Sequence, residues 1–241
     1  MKQVLVTGAG RGIGFEVAKL FAAHKFKVVA LDKAFPANYT PLENVEPLEY
    51  DLRNKTLLDF QTLATTLGPV HTLVNNAGAL HCPDPSGLAK GLGLGFTDAQ
   101  REDIFATNLT APIQLIEAFA PQMIARGEGK IVNVGSVSAF TGHPDLYYGA
   151  TKAGLLNITK SFASLLGVHG ITVNAVAPGP TLTEMYASLP QSRKDMVERT
   201  VNSGRPAEPT EVAEAILWLG MSAPLYVNGS TLDVNDSSYP R

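Results

Sequence analysis

The stretch Thr7-Gly8-Ala9-Gly10-Arg11-Gly12-Ile13-Gly14 decides the fold of this chain. The apolar run Val4–Thr7 leads into it, and Ile13–His24 follows with apolar side chains at helical spacing. Glycines lack a Cβ atom, so they let the backbone turn tightly and let a pyrophosphate approach the amides at a helix N-terminus, where the helix dipole favours an anion. The stretch therefore predicts a strand, a phosphate-binding turn and a helix in direct succession.

Strand and helix alternate along the rest of the chain. Six further runs have the composition of strands: Lys27–Leu31, Val45–Tyr50, Thr72–Asn75, Lys130–Val134, Thr172–Val176 and Thr231–Val234. Five further segments show helical spacing: Arg53–Leu67, Ala99–Asn108, Ala111–Arg126, Gly149–Val168 and Thr210–Leu219. Continuous apolar strands are typical of sheets buried on both faces. The alternation predicts a doubly wound, Rossmann-like parallel α/β sheet with helices on both faces, in one domain spanning residues 1–241.

The composition excludes several classes of protein. Hydrophobic residues make up 45% and charged residues 17% of the 241 residues, which indicates a globular chain rather than a disordered one. The net charge of −3 comes without a cluster of Lys and Arg, so we expect no nucleic-acid partner. Met1 leads straight into a strand and no run reaches about 18 apolar residues, so we expect neither a signal peptide nor a membrane span. Cys82, the single cysteine, favours a reducing, cytoplasmic location.

Asp32 ends the second predicted strand, eighteen residues after Gly14. A carboxylate at this position accepts hydrogen bonds from both hydroxyls of an adenosine ribose and repels a 2′-phosphate. We therefore predict a preference for NAD over NADP. Arg11 and Lys33 are nearby cations that leave NADP as the alternative. A cap at the strand end is the purely structural interpretation of Asp32.

Tyr148 and Lys152 lie four residues apart at the start of a predicted helix, which brings phenol and ammonium onto one helix face. A nearby ammonium stabilises phenolate, so we expect the pKa of Tyr148 to fall below its ordinary value of about 10. Such a tyrosine is suited to general acid/base catalysis. Ser136 follows the preceding strand, whose carboxyl end faces the same predicted ligand crevice.

These motifs resemble the short-chain dehydrogenase/reductase family over essentially the whole chain and in the family's order. Thr7–Gly14 is similar to its cofactor-binding turn, Asp51-Leu52 to its adenine-contacting pair, and Asn75-Asn76-Ala77-Gly78 to the segment after its fourth strand. Pro178-Gly179 with Thr183 resembles the segment that holds the nicotinamide. Four residues match the family's catalytic tetrad: Asn108, Ser136, Tyr148 and Lys152.

The resemblance implies an NAD(P)-dependent oxidoreductase that acts on CH–OH groups. It implies that Tyr148 exchanges a proton with the substrate oxygen, that Ser136 hydrogen-bonds the same oxygen, and that Lys152 binds the nicotinamide ribose. It also implies that Asn108 places a water between Lys152 and solvent. The predicted cofactor-binding residues are Gly8, Arg11, Gly12, Ile13, Gly14, Asp32, Asp51, Leu52, Asn75, Ala77, Gly78, Tyr148, Lys152, Pro178, Gly179, Thr181 and Thr183. The two threonines are equally suited to cap a turn.

Two features depart from the family pattern. The interval from Ser136 to Tyr148 is one residue shorter than usual, which makes Ser138 a reserve candidate. Tyr147 precedes Tyr148, but Tyr147 has Thr151 rather than a lysine four residues later. The glycine-rich stretch 79–96 carries close together the potential metal ligands His81, Cys82 and Asp84, but we expect no metal site because no distant partner with ligand spacing accompanies them.

The segments expected to line the substrate pocket are Leu80–Phe96, Ser138–Tyr147 and Pro180–Leu189. Their mostly apolar side chains favour a small, moderately apolar secondary alcohol or ketone as substrate. One alternative is an NADPH-dependent 3-oxoacyl-(acyl-carrier-protein) reductase. Such enzymes present arginines to the acidic carrier, and His169 stands where one of them is expected. A second alternative is a non-catalytic dinucleotide-binding sensor.

The predicted helices Ala111–Arg126 and Gly149–Val168 correspond to those through which family members form dimers or tetramers. Apolar residues cover more than one stripe of the second helix: Leu155, Leu156, Ile158, Phe162, Leu165 and Leu166. One stripe is needed for packing on the sheet, and the other is available to a partner chain. We therefore expect a homotetramer or homodimer.

Overall fold

A computed structural model describes residues 1–81, 86–89, 94–189 and 191–239. Within these residues seven strands form one sheet in the order β3-β2-β1-β4-β5-β6-β7, and all six neighbouring pairs are parallel. The strands are β1 (Gln3–Thr7), β2 (Lys27–Asp32), β3 (Val45–Glu49), β4 (Thr72–Asn75), β5 (Gly129–Val134), β6 (Ile171–Pro178) and β7 (Thr231–Val234). The predicted doubly wound parallel sheet is confirmed. The strand order reverses between β1 and β4, and a crevice at such a switch point is the usual ligand site of this architecture.

Helices cover both faces of the sheet. They are α1 (Gly12–Ala23), α2 (Leu57–Leu67), α3 (Ser86–Ala89), α4 (Asp98–Phe105), α5 (Ala111–Arg126), α6 (Leu146–Gly167), α7 (Glu184–Ala187), α8 (Gln191–Glu198) and α9 (Pro209–Met221). Among the described residues, no helix is long and apolar enough to cross a bilayer.

Alternate residues of β1 pack into two separate cores, which explains why the strand is apolar throughout. Leu5 joins the core that contains Phe60 and Phe119, beneath α2, α5 and α6. Val4 and Val6 join the core that contains Phe21 and residues of α9, beneath α1 and α9. Both faces of the strand are therefore covered, and its last residue, Thr7, lies at the carboxyl end, where the ligand crevice of such a sheet opens.

Several helix boundaries differ from the sequence-based predictions. Helix α2 begins at Leu57 rather than Arg53, because the Thr56 hydroxyl caps it. Helix α6 begins at Leu146 rather than Gly149, because the Asp145 carboxylate accepts the backbone N–H of Tyr148 and caps the helix. The predicted helix Ala99–Asn108 is divided into α4 and a π-helical turn, Ala106–Thr110. A π turn inserts one extra residue into the helical repeat, which spacing rules based on 3.6 residues per turn do not anticipate.

Two segments with irregular composition, 79–96 and 178–205, follow β4 and β6. The first contains the short helix α3, and its residues Cys82 and Asp84 lie outside the described residues. The second contains the helices α7 and α8. Both segments leave the carboxyl ends of their strands and so border one edge of the sheet.

Candidate active site

The glycine-rich turn connects β1 to α1 and needs its glycines for steric reasons. Gly8 and Gly12 have φ values of +65° and +56°, a region that favours glycine. A Cβ atom on Gly14 would lie 2.1 Å from the carbonyl oxygen of Gly8. The turn therefore stays narrow, with its backbone exposed to an incoming ligand at the N-terminus of α1.

Asn76 supports this turn from the neighbouring strand, and it was not among the predicted site residues. Its Nδ2 atom donates to the carbonyl oxygens of Thr7 and Gly8, both at 3.0 Å. The Thr7 hydroxyl accepts in return from the backbone N–H groups of Asn76 and Ala77, at 3.0 and 3.1 Å. These bonds join the ends of β1 and β4. The signal in the sequence is the pair of adjacent asparagines, of which only Asn75 is predicted to belong to the cofactor site.

Asp32 stands beside the turn at the carboxyl end of β2. Its Oδ2 accepts the N–H of Gly10 at 2.8 Å, and its Oδ1 accepts the N–H of Ala34 at 3.5 Å. A carboxylate oxygen has more than one acceptor direction, so both oxygens retain capacity for further donors. Asp32 is therefore both a cap of its strand and a half-buried acceptor at the crevice, while Arg11 beside it is exposed.

The predicted adenine-contacting pair follows β3. Leu52 is buried, whereas the Asp51 carboxylate is held by the Arg53 guanidinium, with Nη2 donating to Oδ2 at 2.6 Å. The hydrogen bonds from Arg53 hold the pKa of Asp51 below its usual range. Arg53 also lies 3.7 Å from Asp103 of α4, so this corner of the crevice is linked to the substrate side.

Asn75 is placed apart from the other predicted cofactor residues. Its side-chain amide donates to Oδ1 of Asn133 at 2.8 Å, and Asn133 donates to Thr159 of α6 at 2.9 Å. The side chain therefore lies in the interior of the sheet and is 2% exposed. Side chains alternate along a strand, which turns Asn75 inward. Gly78, in contrast, lies close to the catalytic group, since a Cβ atom there would be 3.7 Å from Lys152 Nζ.

Three members of the predicted catalytic tetrad come together where β5 meets α6. The Ser136 hydroxyl faces the Tyr148 phenol and favours its ionised form by hydrogen bonding. Lys152 Nζ lies 5.7 Å from the centre of the Tyr148 ring and donates to the carbonyl oxygen of Val134 at 2.7 Å. The reserve candidate Ser138 is 4% exposed and lies behind Ser136, whose Oγ accepts the Ser138 N–H.

The pKa of Tyr148 differs from the sequence-based expectation. Burial raises the pKa of this phenol above its ordinary value, and the Ser136 hydroxyl only partly offsets the effect. Burial also lowers the pKa of Lys152, to about 8. The expected depression of the tyrosine pKa is therefore wrong for this arrangement, because both groups are removed from water and each charged form is disfavoured. Spacing along the helix predicted the contact but not the degree of burial.

Asn108, the fourth member, lies in the π-helical turn. Its Oδ1 accepts the N–H of Ala79 at 2.7 Å and its Nδ2 donates to the Ala79 carbonyl at 2.9 Å. Nδ2 also donates to the hydroxyl of Thr151, which lies in α6 together with Tyr148. Asn108 thus fixes the segment after β4 against α6. Its oxygen lies near Lys152, with Gly78 next to both.

The segment after β6 closes the crevice over the glycine-rich turn. A Cβ atom on Gly12 would lie 3.2 Å from Cγ2 of Thr183. The hydroxyls of Thr181 and Thr183 bond to backbone carbonyls of their own turn, and Thr183 also caps α7 through the N–H of Tyr186. Both threonines therefore cap turns, and Thr183 also lies against the glycine-rich turn. Pro178 and Gly179 continue β6 to this point, with the Gly179 N–H bonded to Val234.

Aromatic side chains shape the expected substrate side of the site. Tyr147 packs against Phe96 and Phe105, with ring centres 5.0 and 6.1 Å apart, so it is part of the wall. The His143 ring lies 5.2 Å from that of Tyr148 and offers a polar group beside the phenol. Among the described residues, aromatic rings thus surround Tyr147, and an imidazole lies beside the Tyr148 ring.

Comparisons with known proteins agree with this architecture. The family model of the short chain dehydrogenases matches residues 2–194. The 3-oxoacyl-(acyl-carrier-protein) reductase FabG of Vibrio cholerae is 33% identical over 99% of this chain and 97% of its own length.

Two solved structures have closely similar folds. One, described as an NAD(P)-dependent gluconate 5-dehydrogenase from Beutenbergia cavernae with bound NADP at low occupancy, is 26% identical with a TM-score of 0.86, over 98% of this chain and 96% of that one. The other, described as a 2-deoxy-D-gluconate 3-dehydrogenase from Agrobacterium tumefaciens with bound NADP, is 27% identical with a TM-score of 0.84, over 100% and 97%.

Proposed function

This chain belongs to the short chain dehydrogenase family, and we propose that it is an NAD(H)-dependent oxidoreductase that interconverts a secondary alcohol and a ketone. The observation that carries the proposal is the group formed by Tyr148, Ser136 and Lys152 at the carboxyl edge of the sheet, beside the glycine-rich turn. The mainly apolar surroundings favour a small, moderately apolar substrate. Homology supports the reaction class, and the residues of this chain support the finer assignment.

The glycine-rich turn fits a dinucleotide. Positive φ values at Gly8 and Gly12 and the close packing at Gly14 require glycines in this turn, and the turn leads into the N-terminus of α1, where backbone amides and the helix dipole favour a pyrophosphate. Asp32 would hold the adenosine ribose, and the segment around Gly179 and Thr183 would hold the nicotinamide end. The nicotinamide supplies or accepts the hydride when it is bound.

The catalytic roles follow from the protonation states of the side chains. Because burial raises the pKa of Tyr148, its phenol keeps its proton at neutral pH and can donate it to a ketone oxygen. The Ser136 hydroxyl would orient the same oxygen, and a charged Lys152 would stabilise the phenolate that remains. Asn108 would keep the lysine side of the site in place through Ala79.

The preference for NAD rests on the charge of Asp32. The backbone N–H groups of Gly10 and Ala34 hold its carboxylate in place. Its negative charge would repel a 2′-phosphate at this half-buried position. Arg11 and Lys33 are exposed and screened by solvent, so they offset this repulsion only weakly. The two similar solved structures contain NADP, which makes Asp32 the residue on which this part of the proposal depends.

The substitution Tyr148→Phe tests the proposed chemistry. We expect NAD-linked oxidation of a panel of secondary alcohols, including cyclohexanol and 2-butanol, to fall by about 10²-fold or more, which is the contribution of a positioned acid/base group. Binding of NADH, followed by nicotinamide fluorescence, should stay within about twofold because the turn is untouched. Tyr147→Phe is the matched control and should keep most of the activity. Full activity in the Tyr148→Phe enzyme would contradict the proposal, and a non-catalytic sensor would show no turnover in either protein.

A second candidate is a 3-oxoacyl-(acyl-carrier-protein) reductase, which the 33% identity to the Vibrio cholerae enzyme favours. The exposed His169 is a weaker attraction for an acidic carrier than an arginine, because it lacks the permanently charged, two-pronged guanidinium that binds a carboxylate. Comparing rates on a 3-oxoacyl thioester attached to the carrier protein and on the same acyl group attached to a small thiol distinguishes the candidates. Faster NADPH-linked turnover with the carrier-bound thioester would select the reductase.

A further inference from the structure

Asp145 immediately precedes the catalytic helix and is 1% exposed. Its Oδ1 accepts the backbone N–H of Tyr148 at 2.9 Å and caps α6. Its Oδ2 accepts the backbone N–H of His81 at 3.0 Å, 64 residues earlier in the chain. One carboxylate thus bonds both to the backbone of the acid/base residue and to the segment that follows β4.

An ordinary helix cap needs only one of these two bonds. Thr56 and Thr97 cap α2 and α4 through their hydroxyl oxygens, and both form capping boxes with residues three positions later in their own helices. Asp145 instead directs its second oxygen to a distant segment. The buried carboxylate is stabilised by two backbone donors and by the positive end of the helix dipole. Burying a carboxylate still costs free energy, and capping alone does not require it, since an uncharged serine caps a helix comparably well.

The segment that Asp145 reaches is held at both ends. Asn108 binds both backbone groups of Ala79, at 2.7 and 2.9 Å, and Asp145 binds the N–H of His81 two residues later. The His81 ring is further bonded to Asp103 of α4 at 2.9 Å. Leu80, between the two attachment points, is half-buried and lies in the segment that the sequence predicts to line the substrate cleft.

We propose that Asp145 is a positioning residue that ties residues 79–81 to the backbone of Tyr148, so that the wall of the substrate cleft keeps a fixed distance from the acid/base group. The role of this wall in substrate binding rests on the proposed oxidoreductase function. The attachment itself does not rest on that function. It concerns two backbone N–H groups whose protection from hydrogen exchange can be measured in the isolated protein.

Asp145→Ser separates the two bonds. Serine can still cap α6 through the N–H of Tyr148, but its shorter side chain does not reach His81. We expect hydrogen–deuterium exchange of residues 79–81 to become about tenfold faster, and exchange at the start of α6 to stay within about twofold. Asp145→Asn is a second variant: its amide can accept from Tyr148 but presents a donor to the N–H of His81, so the same pattern is expected. Asp59→Ser, at the exposed start of α2, is the control and should leave both regions unchanged.

Unchanged exchange at residues 79–81 in both variants would overturn the proposal. Faster exchange throughout the fold in both would also overturn it, because Asp145 would then be a general structural residue. In steady-state assays with cyclohexanol, we expect the KM for the alcohol to rise about fivefold in Asp145→Ser while the Kd for NADH stays within about twofold. If the wild-type chain shows no NAD- or NADP-linked turnover, the proposed function fails, whereas the exchange result still decides whether Asp145 holds the segment.

Discussion

Lys152 is a buried amine whose charged form is costly. The side chain is 3% exposed, and desolvation lowers its pKa from 10.5 to about 8. A bond to the carbonyl of Val134 at 2.7 Å compensates only part of this cost. The consequence is an amine that can change its charge near the working pH of most enzymes, directly beside a tyrosine that keeps its proton.

This pKa predicts how stability depends on pH. A lysine with a lowered pKa in the folded state binds fewer protons than in the unfolded chain, so stability rises with pH between about 8 and 10.5. From pH 7 to pH 9 the wild type should gain about 1 kcal/mol in free energy of unfolding relative to Lys152→Met. Urea unfolding at both pH values measures the difference. A constant difference between the two proteins would show that Lys152 has an ordinary pKa.

At the residue scale, the sequence predicted which side chains come together better than it predicted their pKa values. The four-residue spacing of Tyr148 and Lys152 was enough to place them on one face of a helix. The predicted direction of the Tyr148 pKa was wrong because it depends on how strongly the fold desolvates the phenol. The sequence does not indicate the role of Asp145, since its bond to His81 joins parts of the chain that no local spacing relates.

Among the elements, the turn between β1 and α1 gives the sharpest test of the fold. Alanine at position 14 would place its Cβ 2.1 Å from the Gly8 carbonyl and 2.5 Å from Asn76 Nδ2. Helix propensity alone would favour alanine by about 1 kcal/mol. The sign of the change in the free energy of unfolding therefore shows whether helix propensity or the steric clash dominates. We expect Gly14→Ala to lower the free energy of unfolding by about 2 kcal/mol and to weaken NADH binding.

Gly142→Ala is the control for this prediction, because a Cβ atom there meets nothing within 4 Å and the backbone φ is not positive. Its free energy of unfolding should stay within about 0.5 kcal/mol of the wild type. If Gly14→Ala were as stable as Gly142→Ala, the close packing of the turn against Asn76 would be contradicted. Thermal or denaturant unfolding measures both variants.

Elements with strong local signals were predicted well, and the others required tertiary information. The bounds of α5 agree with the sequence because its apolar stripe is regular and Gly127 ends it in a left-handed conformation. The π turn around Asn108 has no such signal, although it brings the asparagine to Ala79. Asn75 and Asn76 could not be told apart without knowing which of the two faces the interior of the sheet.

At the scale of the whole molecule, the confirmed sheet topology brings the ends of β1, β4, β5 and β6 to one edge, where the site lies. The single domain predicted for residues 1–241 and the assembly into a homodimer or homotetramer stay predictions. Among the described residues, α6 carries exposed apolar side chains that its packing on the sheet does not use, namely Leu146 at 58% and Leu165 at 65% exposure. A partner chain would cover such a face.

Leu165→Glu tests this assembly. Light scattering should give the wild type a mass of two or four times 25.6 kDa, and the variant a shift toward the single-chain mass, because a charge at a packed interface is costly. Leu58→Glu is the control, since Leu58 is similarly exposed, at 70%, but lies on α2. A monomeric wild type would refute the predicted oligomer.

The most direct test of the central claim is a titration of the wild type and of Asp32→Ala with NADH and with NADPH, followed by nicotinamide fluorescence. Gly10 and Ala34 hold the Asp32 carboxylate, which we propose binds the adenosine ribose, so we predict tighter binding of NADH by the wild type and about a tenfold loss of that affinity in the variant. Binding of NADPH should weaken less or improve, because the repelling charge is removed. Tighter binding of NADPH by the wild type, or no binding of either nucleotide, would contradict the account.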